Sequence, residues 1–460
     1  MSAVHDLDDK KFEAALQNEL AAEKHDFPSY IGGLKVASGT DFPCSSPVDS
    51  TIIFGRFQEP EPGTMAAAAR SADRAFGSWS KTAPAVRAKT VGDVAEAVAA
   101  HRYQLAAQVL LSSGMTRGMA VAEVDRLVDV LRQAAQDALT ASGKPTGVWA
   151  VICTHSSPLA SPMGYAGAAI AAGDTVVLRP SWDCPVPCYT VYRYFVSAGL
   201  PDGVLNVVAD RLPGSAQDLA NDPAVTGIVA TGTGKLMEDL MFLQVDEDVG
   251  FINEIKGMNP ALVLHPSDLK KAAADVLTSA FSYSGQGLYG CSKVVVLAEE
   301  EQDFTKALVE QAKDFSVGDP AEAGTRVGPL ISGPEADRFE KLLKDRRDFV
   351  LCGGRRVKKE FTENGRYYSP ALLAGLDDGD DLMYMDSGLP LLVIKAVGTP
   401  EEAFADLEDT ECGLSAGIFT REQALIGRLK KALPDAACYV NVPSTVLIPA
   451  AQALVRNFRR

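Results

Sequence analysis

The segment from residue 147 to 208 contains three apolar runs that decide the fold: Val148-Trp-Ala-Val-Ile152, Thr175-Val-Val-Leu178 and Val204-Leu-Asn-Val-Val208. The first of these runs is apolar throughout, which is typical of a strand buried on both faces of a parallel sheet. The stretches between them, residues 166–173 and 186–198, are predicted helices, joined to the runs by short turns that contain Gly and Pro. Because strands that alternate with helices form right-handed crossovers, this pattern predicts a doubly wound α/β sheet.

Composition narrows the class of protein. A chain of 460 residues has room for two or three domains and a large core. Its formal net charge of −16 argues against the basic surface that nucleic acids and anionic membranes require. The first nine residues lack the basic start of a signal peptide, and no stretch reaches the roughly 18 apolar residues of a membrane span. We therefore expect a cytoplasmic protein with no nucleic-acid or membrane partner.

The eight cysteines are dispersed along the chain, without the spacing of a disulfide framework. Dispersed thiols are typical of a reducing compartment such as the cytoplasm. Cys184 and Cys188 form the one close pair, and no further set of ligands is evident around them. The sequence therefore predicts no metal site.

A second part of the sequence carries the chemistry. It is Phe281-Ser-Tyr-Ser-Gly-Gln-Gly-Leu-Tyr-Gly-Cys-Ser-Lys-Val294, read together with Asn253-Glu-Ile-Lys-Gly-Met-Asn-Pro260. These stretches, with Gly173-Asp-Thr-Val-Val-Leu-Arg-Pro-Ser181 and Gly199-Leu-Pro-Asp-Gly-Val-Leu-Asn-Val207, resemble signature blocks of the aldehyde dehydrogenase superfamily. The resemblance extends from about residue 30 to 441, and it is nearest to the 1-pyrroline-5-carboxylate dehydrogenase branch.

The resemblance implies an aldehyde-dehydrogenase-like α/β fold with two domains. Residues 1–252 are expected to form a Rossmann-like cofactor-type domain, to which residues 436–460 return. Residues 253–435 are expected to form a catalytic-type α/β domain. One fold hosts many activities, so function has to be argued from the site.

The nucleophile position implied by the resemblance does not hold a cysteine. In the family this position lies two residues after Gly-Gln. The matching position here, 288 − 254 = 34 residues after Glu254, is occupied by Leu288. Leucine has no lone pair, whereas a thiolate attacks the aldehyde and forms the thiohemiacetal from which hydride leaves. Cys291 lies three residues further on and is the candidate for a displaced nucleophile. Glu254 matches the family's general base, or else it is a hydrogen-bonded structural carboxylate.

The side-chain amide that helps to form the family's oxyanion hole is also replaced. The resemblance places Ser156 at this position, within Thr154-His-Ser-Ser-Pro158. A hydroxyl is a shorter donor, so we expect an oxyanion hole weakened by roughly a few kcal/mol. His155 suggests a base beside Ser156, but no acid that would orient the imidazole is identifiable in the sequence.

NAD(P) is the cofactor implied by the resemblance, yet the positions that hold its riboses differ from the family. Arg179 stands for a lysine, while Trp182 and Met385 stand for the two ribose-binding glutamates, with Asp386 one residue out of register. The turn after residue 230 matches the helix N-terminus that faces the pyrophosphate, or else it merely joins a strand to a helix. The candidate cofactor contacts are Arg179, Ser181, Thr231, Gly232 and Thr233. The loss of two carboxylates argues against normal dinucleotide binding.

Two elements that the family uses to pair subunits are expected to be missing. The helical pattern that ends near Ala138 passes through residues 140–146 directly into Val148-Trp-Ala-Val-Ile152, which leaves no room for the family's strand-forming arm. The family's C-terminal block and strand have no counterpart after Asn441. We therefore predict that the chain does not form a strand-exchanged dimer, and is a monomer or assembles through another surface.

Three functions remain open. The first is a non-catalytic family member that acts as a binding or regulatory protein with an unknown protein partner. The second is an NAD(P)-dependent aldehyde dehydrogenase, similar to pyrroline-5-carboxylate dehydrogenase, that uses Cys291. The third is different chemistry in the same cleft, carried by Glu254 or by His155 and Ser156.

Overall fold

A computed structural model describes residues 7–22, 25–37, 40–212, 214–243, 248–410, 413–447 and 454–460. The chain divides into two compact units. The first consists of residues 1–46, 50–254 and 449–460, and the second of residues 47–49 and 255–448. Each unit contains a seven-stranded sheet.

The first unit contains nine of the described helices and ten of the described strands. The helices are α1 (Asp9–Ala21), α2 (Thr64–Trp79), α3 (Pro84–Ala100), α4 (Arg102–Ser113), α5 (Arg117–Thr140), α6 (Ala160–Ala172), α7 (Val186–Ser197), α8 (Ser215–Ala220) and α9 (Lys235–Met241). The strands are β1 (His25–Phe27), β2 (Ser29–Ile31), β3 (Leu34–Val36), β4 (Asp41–Ser45), β5 (Ile53–Gln58), β6 (Val148–Cys153), β7 (Thr175–Arg179), β8 (Leu205–Val207), β9 (Val225–Gly232) and β10 (Gly250–Ile255).

The large sheet of the first unit has the order β10-β9-β6-β7-β8-β2-β3. Strands β9, β6, β7 and β8 are parallel, and the chain moves from β6 towards β8 before it returns to β9 on the other side. Every residue of β6 and β7 is buried, as the apolar runs predict. Helix α6 consists largely of Ala and Gly because it packs closely, and a Cβ on Gly167 would lie 2.2 Å from Leu131 Cδ2 of α5. The predicted doubly wound sheet is confirmed.

The second unit is also α/β. Its strands are β11 (Pro260–Val263), β12 (Lys293–Leu297), β13 (Val350–Cys352), β14 (Ala371–Ala374), β15 (Leu391–Val397), β16 (Ser415–Phe419) and β17 (Ala437–Val440). Its helices are α10 (Leu269–Phe281), α11 (Ala298–Lys313), α12 (Gly333–Asp345), α13 (Pro400–Asp409) and α14 (Gln423–Ala432). The sheet order is β13-β14-β15-β12-β11-β16-β17, and all neighbours are parallel except β13 and β14. Apolar clusters cover both faces.

The return of the chain to the first unit comes later than the sequence analysis placed it. Residues 436–460 were expected to belong to the cofactor-type domain, but β17 pairs in parallel with β16, with Ala416 opposite Cys438. The Tyr439 ring is buried in the core of the second unit. Residues 454–460 are the described part of the C-terminal segment that packs in the first unit, since Phe458 lies against Trp149.

Seven residues, 141–147, connect α5 to β6. Two of them pair with the end of the chain, because Lys144 N donates to Arg460 O at 2.7 Å and Arg460 N donates to Lys144 O at 3.1 Å. Pro145 and Arg459 form an antiparallel bridge. The segment at which the arm was expected to be absent is therefore a short connection paired with residues of the same chain.

Candidate functional site

Polar residues follow the carboxyl ends of β6, β7 and β9 in the first unit. Strands β7 and β9 flank β6, so this edge is the point at which the strand order reverses. Ligands of doubly wound folds bind at such a point. The sequence places Thr154-His-Ser156 after β6, Arg179 at the end of β7 and Thr231-Gly-Thr233 at the end of β9.

Glu254 is a buried carboxylate held by two hydroxyl groups. Ser161 Oγ of α6 and Thr231 Oγ1 of β9 both donate to Glu254 Oε2, each at 2.8 Å. The side chain lies near the end of β10, and the residue is 1% exposed. Within the first unit, Glu254 therefore joins α6 to the sheet, and Thr231 is committed to this contact.

The turn after β9 is tied to the segment after β6. Gly232 has φ +143°, and a Cβ there would lie 2.0 Å from Thr154 Oγ1, so a side chain cannot fit. Thr233 N donates to the same Thr154 hydroxyl at 3.0 Å. The following helix, α9, has only seven residues. The backbone donor of Thr233, predicted to face a pyrophosphate, is thus used inside the protein.

The serine that stands for the oxyanion-hole amide is also engaged. Ser156 is 3% exposed, and its Oγ donates to Thr233 Oγ1 at 3.1 Å. The neighbouring His155 lies with Nδ1 3.9 Å from Asp183 Oδ2, and both side chains are mostly buried. Sequence reasoning missed Asp183 as a carboxylate beside His155. The sequence carried no direct signal for this contact, because the pairing of Ile152 with Arg179 that brings the residues after β6 and β7 together is a property of the assembled sheet.

Arg179 is enclosed by an internal ion pair. Its Nε donates to Asp210 Oδ2 at 3.1 Å, and its Nη2 donates to Asp210 Oδ1 and O, both at 3.3 Å. Ser215 Oγ and Leu212 N also donate to Asp210 Oδ1, at 2.5 and 3.0 Å. The side chains of Arg179 and Asp210 are 6% and 0% exposed. Ser181, two residues after Arg179, is buried as well.

In the second unit, the stretch that the sequence analysis singled out begins with an unusual backbone. Tyr283, Ser284 and Gly285 have φ of 53°, 55° and 73°, and such left-handed conformations cost roughly 1–3 kcal/mol each for non-glycine residues. Ser284 Oγ donates to Gly328 O at 2.8 Å, and Gln286 Oε1 accepts from Ile331 N at 2.8 Å. These bonds hold the strained segment in place.

Leu288 is buried, and the side chain of Asn259 holds its backbone by a hydrogen bond. The residue is 2% exposed. Asn259 Nδ2 donates to Leu288 O at 2.8 Å and to Gly290 O at 3.2 Å, while Asn259 Oδ1 accepts from Ser415 N at 3.0 Å. The loop therefore keeps a defined conformation around an unreactive side chain.

Cys291 belongs to the apolar core of the second unit. It is 2% exposed, and its Sγ lies 3.3 Å from Lys293 O. Burial raises the pKa of the thiol to about 12, and the nearby Lys256 only partly offsets this effect. A thiol with this pKa is almost entirely protonated at neutral pH, so it is a poor nucleophile.

Asp386 is committed to a lysine that the sequence analysis did not single out. Lys256 Nζ lies 3.1 Å from Asp386 Oδ2 and donates to Gly285 O at 3.0 Å. The two side chains are 1% and 6% exposed. Met385, by contrast, is 52% exposed. Asp386 is therefore already paired within the second unit.

A model of the aldehyde dehydrogenase family matches residues 35–453. The chain belongs to the aldehyde dehydrogenase family. It is similar to alpha-ketoglutaric semialdehyde dehydrogenase of Bacillus subtilis, with 27% identity over 430 residues that cover 88% of this chain and 87% of that protein. It is also similar to 1-pyrroline-5-carboxylate dehydrogenase of Geobacillus, with 25% identity over 460 residues that cover 94% and 88%.

The fold agrees with this family. A solved structure of 1-pyrroline-5-carboxylate dehydrogenase from Thermus with bound NAD matches with a TM-score of 0.89 at 20% identity, covering 98% of this chain and 94% of that chain. The aldehyde-dehydrogenase-like fold and the family resemblance expected from the sequence are confirmed.

The residues of this family member do not fit a dinucleotide at the positions where the resemblance places its contacts. Arg179 is neutralised by Asp210, Asp386 is paired with Lys256, and Thr231 is bonded to Glu254. Trp182 and Met385 carry no carboxylate. Arg179, Asp386 and Thr231 are therefore each already paired within the protein.

Among the residues that the structure describes, no group of three or more His, Cys, Asp or Glu side chains is arranged to hold a metal ion. No helix in the described parts of the chain is long and apolar enough to cross a membrane.

Proposed function

We propose that this chain is a non-catalytic member of the aldehyde dehydrogenase family, which acts as a binding or regulatory protein in the cytoplasm. The observation that carries the proposal is Leu288, two residues after Gly285-Gln286, where the family resemblance expects the nucleophilic thiol. Its buried apolar side chain cannot form a covalent adduct with an aldehyde.

The surroundings of the other candidate groups support the same proposal. Glu254 is held by two hydroxyls, and without a thioester a general base at this position has no substrate. Cys291 would need to ionise in order to serve as a displaced nucleophile, and its burial in the core opposes ionisation. The aldehyde dehydrogenase that uses Cys291 is thus the less favoured function.

Different chemistry based on His155 has one supporting observation. Asp183 lies near the imidazole and supplies the carboxylate that a histidine base requires, although the 3.9 Å separation exceeds a hydrogen bond. Because Ser156 points its hydroxyl to Thr233, a serine nucleophile activated by His155 is not supported.

Turnover assays on the purified full chain test the proposal. NAD- and NADP-dependent oxidation is measured with an aldehyde panel that includes the semialdehydes named for the relatives, and hydrolysis of a p-nitrophenyl ester is measured without cofactor. The variants Cys291→Ala and His155→Gln are assayed in parallel. We expect no activity above that of the buffer in either assay.

Each positive result has a distinct meaning. Oxidation that is abolished by Cys291→Ala would replace the proposal with a dehydrogenase that uses a displaced nucleophile. Ester hydrolysis that survives Cys291→Ala but is lost in His155→Gln would identify acid–base chemistry instead. Either result would contradict a non-catalytic function.

A further inference from the structure

We propose that two internal ion pairs, Arg179 with Asp210 and Lys256 with Asp386, occupy the positions of the dinucleotide contacts and exclude NAD(P) from this chain. This inference rests on the proposed function and gives a physical reason for it. It concerns one pair in each compact unit, and each pair contains one residue at or beside a family cofactor position.

In the first unit, Asp210 takes the place of a ligand. Arg179 lies at the carboxyl end of β7, an edge at which the ligands of doubly wound sheets bind. Three hydrogen bonds join its guanidinium to Asp210, and the same carboxylate accepts from Ser215 Oγ and Leu212 N. The buried cation is thus neutralised by the protein's own carboxylate.

In the second unit, the residue beside the cofactor position is the anion Asp386, and Lys256 is the cation that neutralises it. Lys256 lies two residues after Glu254, within the stretch that resembles a family signature block. Its ammonium binds Asp386, the neighbour in sequence of Met385, which the resemblance places at the second ribose position, while Gly388 N donates to the same Asp386 Oδ2 at 2.9 Å. A Cβ on Gly290 would lie 3.2 Å from Lys256 Nζ, so the ammonium fills the space beside the loop.

Opening either pair for a ligand is unfavourable. Separating a buried ion pair leaves an uncompensated charge in a low-dielectric environment, which is far more costly than the loss of an exposed pair. A ribose hydroxyl is neutral and cannot replace the lost charge of Asp210 or Lys256. A ligand that opened either pair would therefore have to offset the cost of separating its charges.

Calorimetric titration of the full chain with NAD, NADP and ADP tests the inference. We expect no measurable binding to the wild type at about 1 mM ligand. Asp210→Ala frees Arg179, so we expect this variant to bind ADP at least about tenfold more tightly than the wild type. The double variant Arg179→Met/Asp210→Ala is the matched control, and its affinity for ADP should not exceed that of the wild type. Thermal melts establish that each variant is folded, and Asp210→Asn replaces Asp210→Ala if the latter does not fold.

A second arm addresses the other pair. Adding Lys256→Met to the Asp210 variant should increase the affinity for NAD but not for ADP, because Asp386 would then be free to accept from the nicotinamide ribose. An unchanged NAD affinity in this folded variant would contradict the role of Lys256. If the folded Asp210 variants bind ADP no more tightly than the wild type does, the role of Asp210 is contradicted.

The inference and the proposed function fail in different ways. A dissociation constant below about 100 µM for NAD and the wild type, together with weaker binding by Arg179→Met, would overturn the inference even without turnover. Turnover by a wild type that binds no dinucleotide would instead overturn the proposed function and leave the ion pairs as the reason for cofactor exclusion.

Discussion

Asp174 is a buried carboxylate that is only partly satisfied. Its Oδ1 accepts from Thr146 N at 2.5 Å and from Gly147 N at 2.8 Å, whereas its Oδ2 has no hydrogen-bond partner within the described residues. Burial raises the pKa of this carboxyl to about 7, although the two backbone donors and the nearby Arg459 favour the charged form. The group therefore titrates near neutral pH in the folded protein.

We predict that Asp174→Asn flattens the pH dependence of stability. A raised folded-state pKa means that stability from this group is fully present below the unfolded pKa of 3.8 and is lost as pH rises through about 7. Between pH 5 and 8 the wild type should lose about 2–3 kcal/mol of unfolding free energy through Asp174. The asparagine retains the acceptor oxygen without the charge. Urea unfolding at both pH values measures the difference.

Asp73→Asn provides the control, because Asp73 is exposed on α2. Its pH profile should parallel that of the wild type. Parallel profiles for Asp174→Asn and the wild type would contradict the assignment of this titration to Asp174.

We predict that Cys291 does not react with iodoacetamide in the native state. With a pKa of about 12, the thiolate fraction at pH 8 is only about 10⁻⁴, and the thiol is buried as well. Cys352 and Cys438 are partly exposed and should be labelled first. Peptide mapping by mass spectrometry measures the rates. Labelling of Cys291 as fast as Cys352 would show an accessible thiol and would favour the displaced nucleophile.

At single positions, the sequence shows which side chain is present but not which partner that side chain contacts. The absence of a thiol at Leu288 is a property of the sequence alone. By contrast, Thr231 and Arg179 were predicted to face a cofactor, and the structure commits them to Glu254 and Asp210. Those partners lie on other strands and loops, so spacing along the chain could not reveal them.

Among the elements, the start of α6 depends on a carboxylate from α5. Glu123 Oε1 accepts from Ser157 Oγ at 2.7 Å, from Leu159 N at 3.2 Å and from Ala160 N at 2.9 Å. Glu123 is 2% exposed. It thus satisfies backbone donors that the first turn of a helix leaves without intrahelical partners, and its charge complements the helix dipole.

We predict that Glu123→Ala lowers the free energy of unfolding by about 2–4 kcal/mol, because three buried donors lose their acceptor. Glu123→Gln retains an acceptor oxygen and should be affected less. Chemical denaturation measures both variants. Glu96→Ala on the exposed face of α3 is the matched control and should leave the midpoint unchanged. A loss in Glu123→Gln equal to that in Glu123→Ala would contradict the acceptor role.

The C-terminal segment 454–460 has only seven residues, but it packs tightly within the first unit. Val455 and Phe458 are fully buried, and the Phe458 ring lies 4.6 Å from the Trp149 ring at an angle of 68°. Arg459 Nε donates to Ala172 O at 3.2 Å, at the end of α6. The segment therefore covers the start of β6 and the end of α6.

We predict that Phe458→Ala destabilises the first unit by about 3 kcal/mol, because it removes a buried aromatic side chain and leaves a cavity. Arg456→Ala, at an exposed position of the same segment, should have little effect. Thermal melts followed by Trp fluorescence are suitable because Trp149 contacts the deleted ring. Equal melting temperatures for Phe458→Ala and the wild type would contradict this packing role.

For the whole molecule, the prediction that no strand-exchanged dimer forms stays a prediction. The pairing of residues 144 and 145 with 459 and 460 of the same chain supports it, since these backbone groups are already used. Sedimentation equilibrium at micromolar concentration should give the 48.8 kDa mass of a monomer, or the mass of an assembly that does not depend on residues 454–460. Removing residues 454–460 exposes Trp149 and this backbone edge, so the truncated chain should self-associate. A wild-type dimer that dissociates on this truncation would contradict the prediction.

The sequence by itself determined the fold class and the family, and it places leucine at position 288. Apolar periodicity and motif blocks are local features, so they can be recognised without knowledge of the strand order. Only the tertiary structure decided what the remaining charges do. Arg179 and Asp210 lie 31 residues apart, and Lys256 and Asp386 lie 386 − 256 = 130 apart, so they meet only when the sheets assemble. The misplaced boundary at residue 436 has the same cause, since pairing of β17 with β16 is decided by sheet register. The local sequence pattern thus determines which helices and strands form. Burial and strand order determine which buried charged side chains pair with each other.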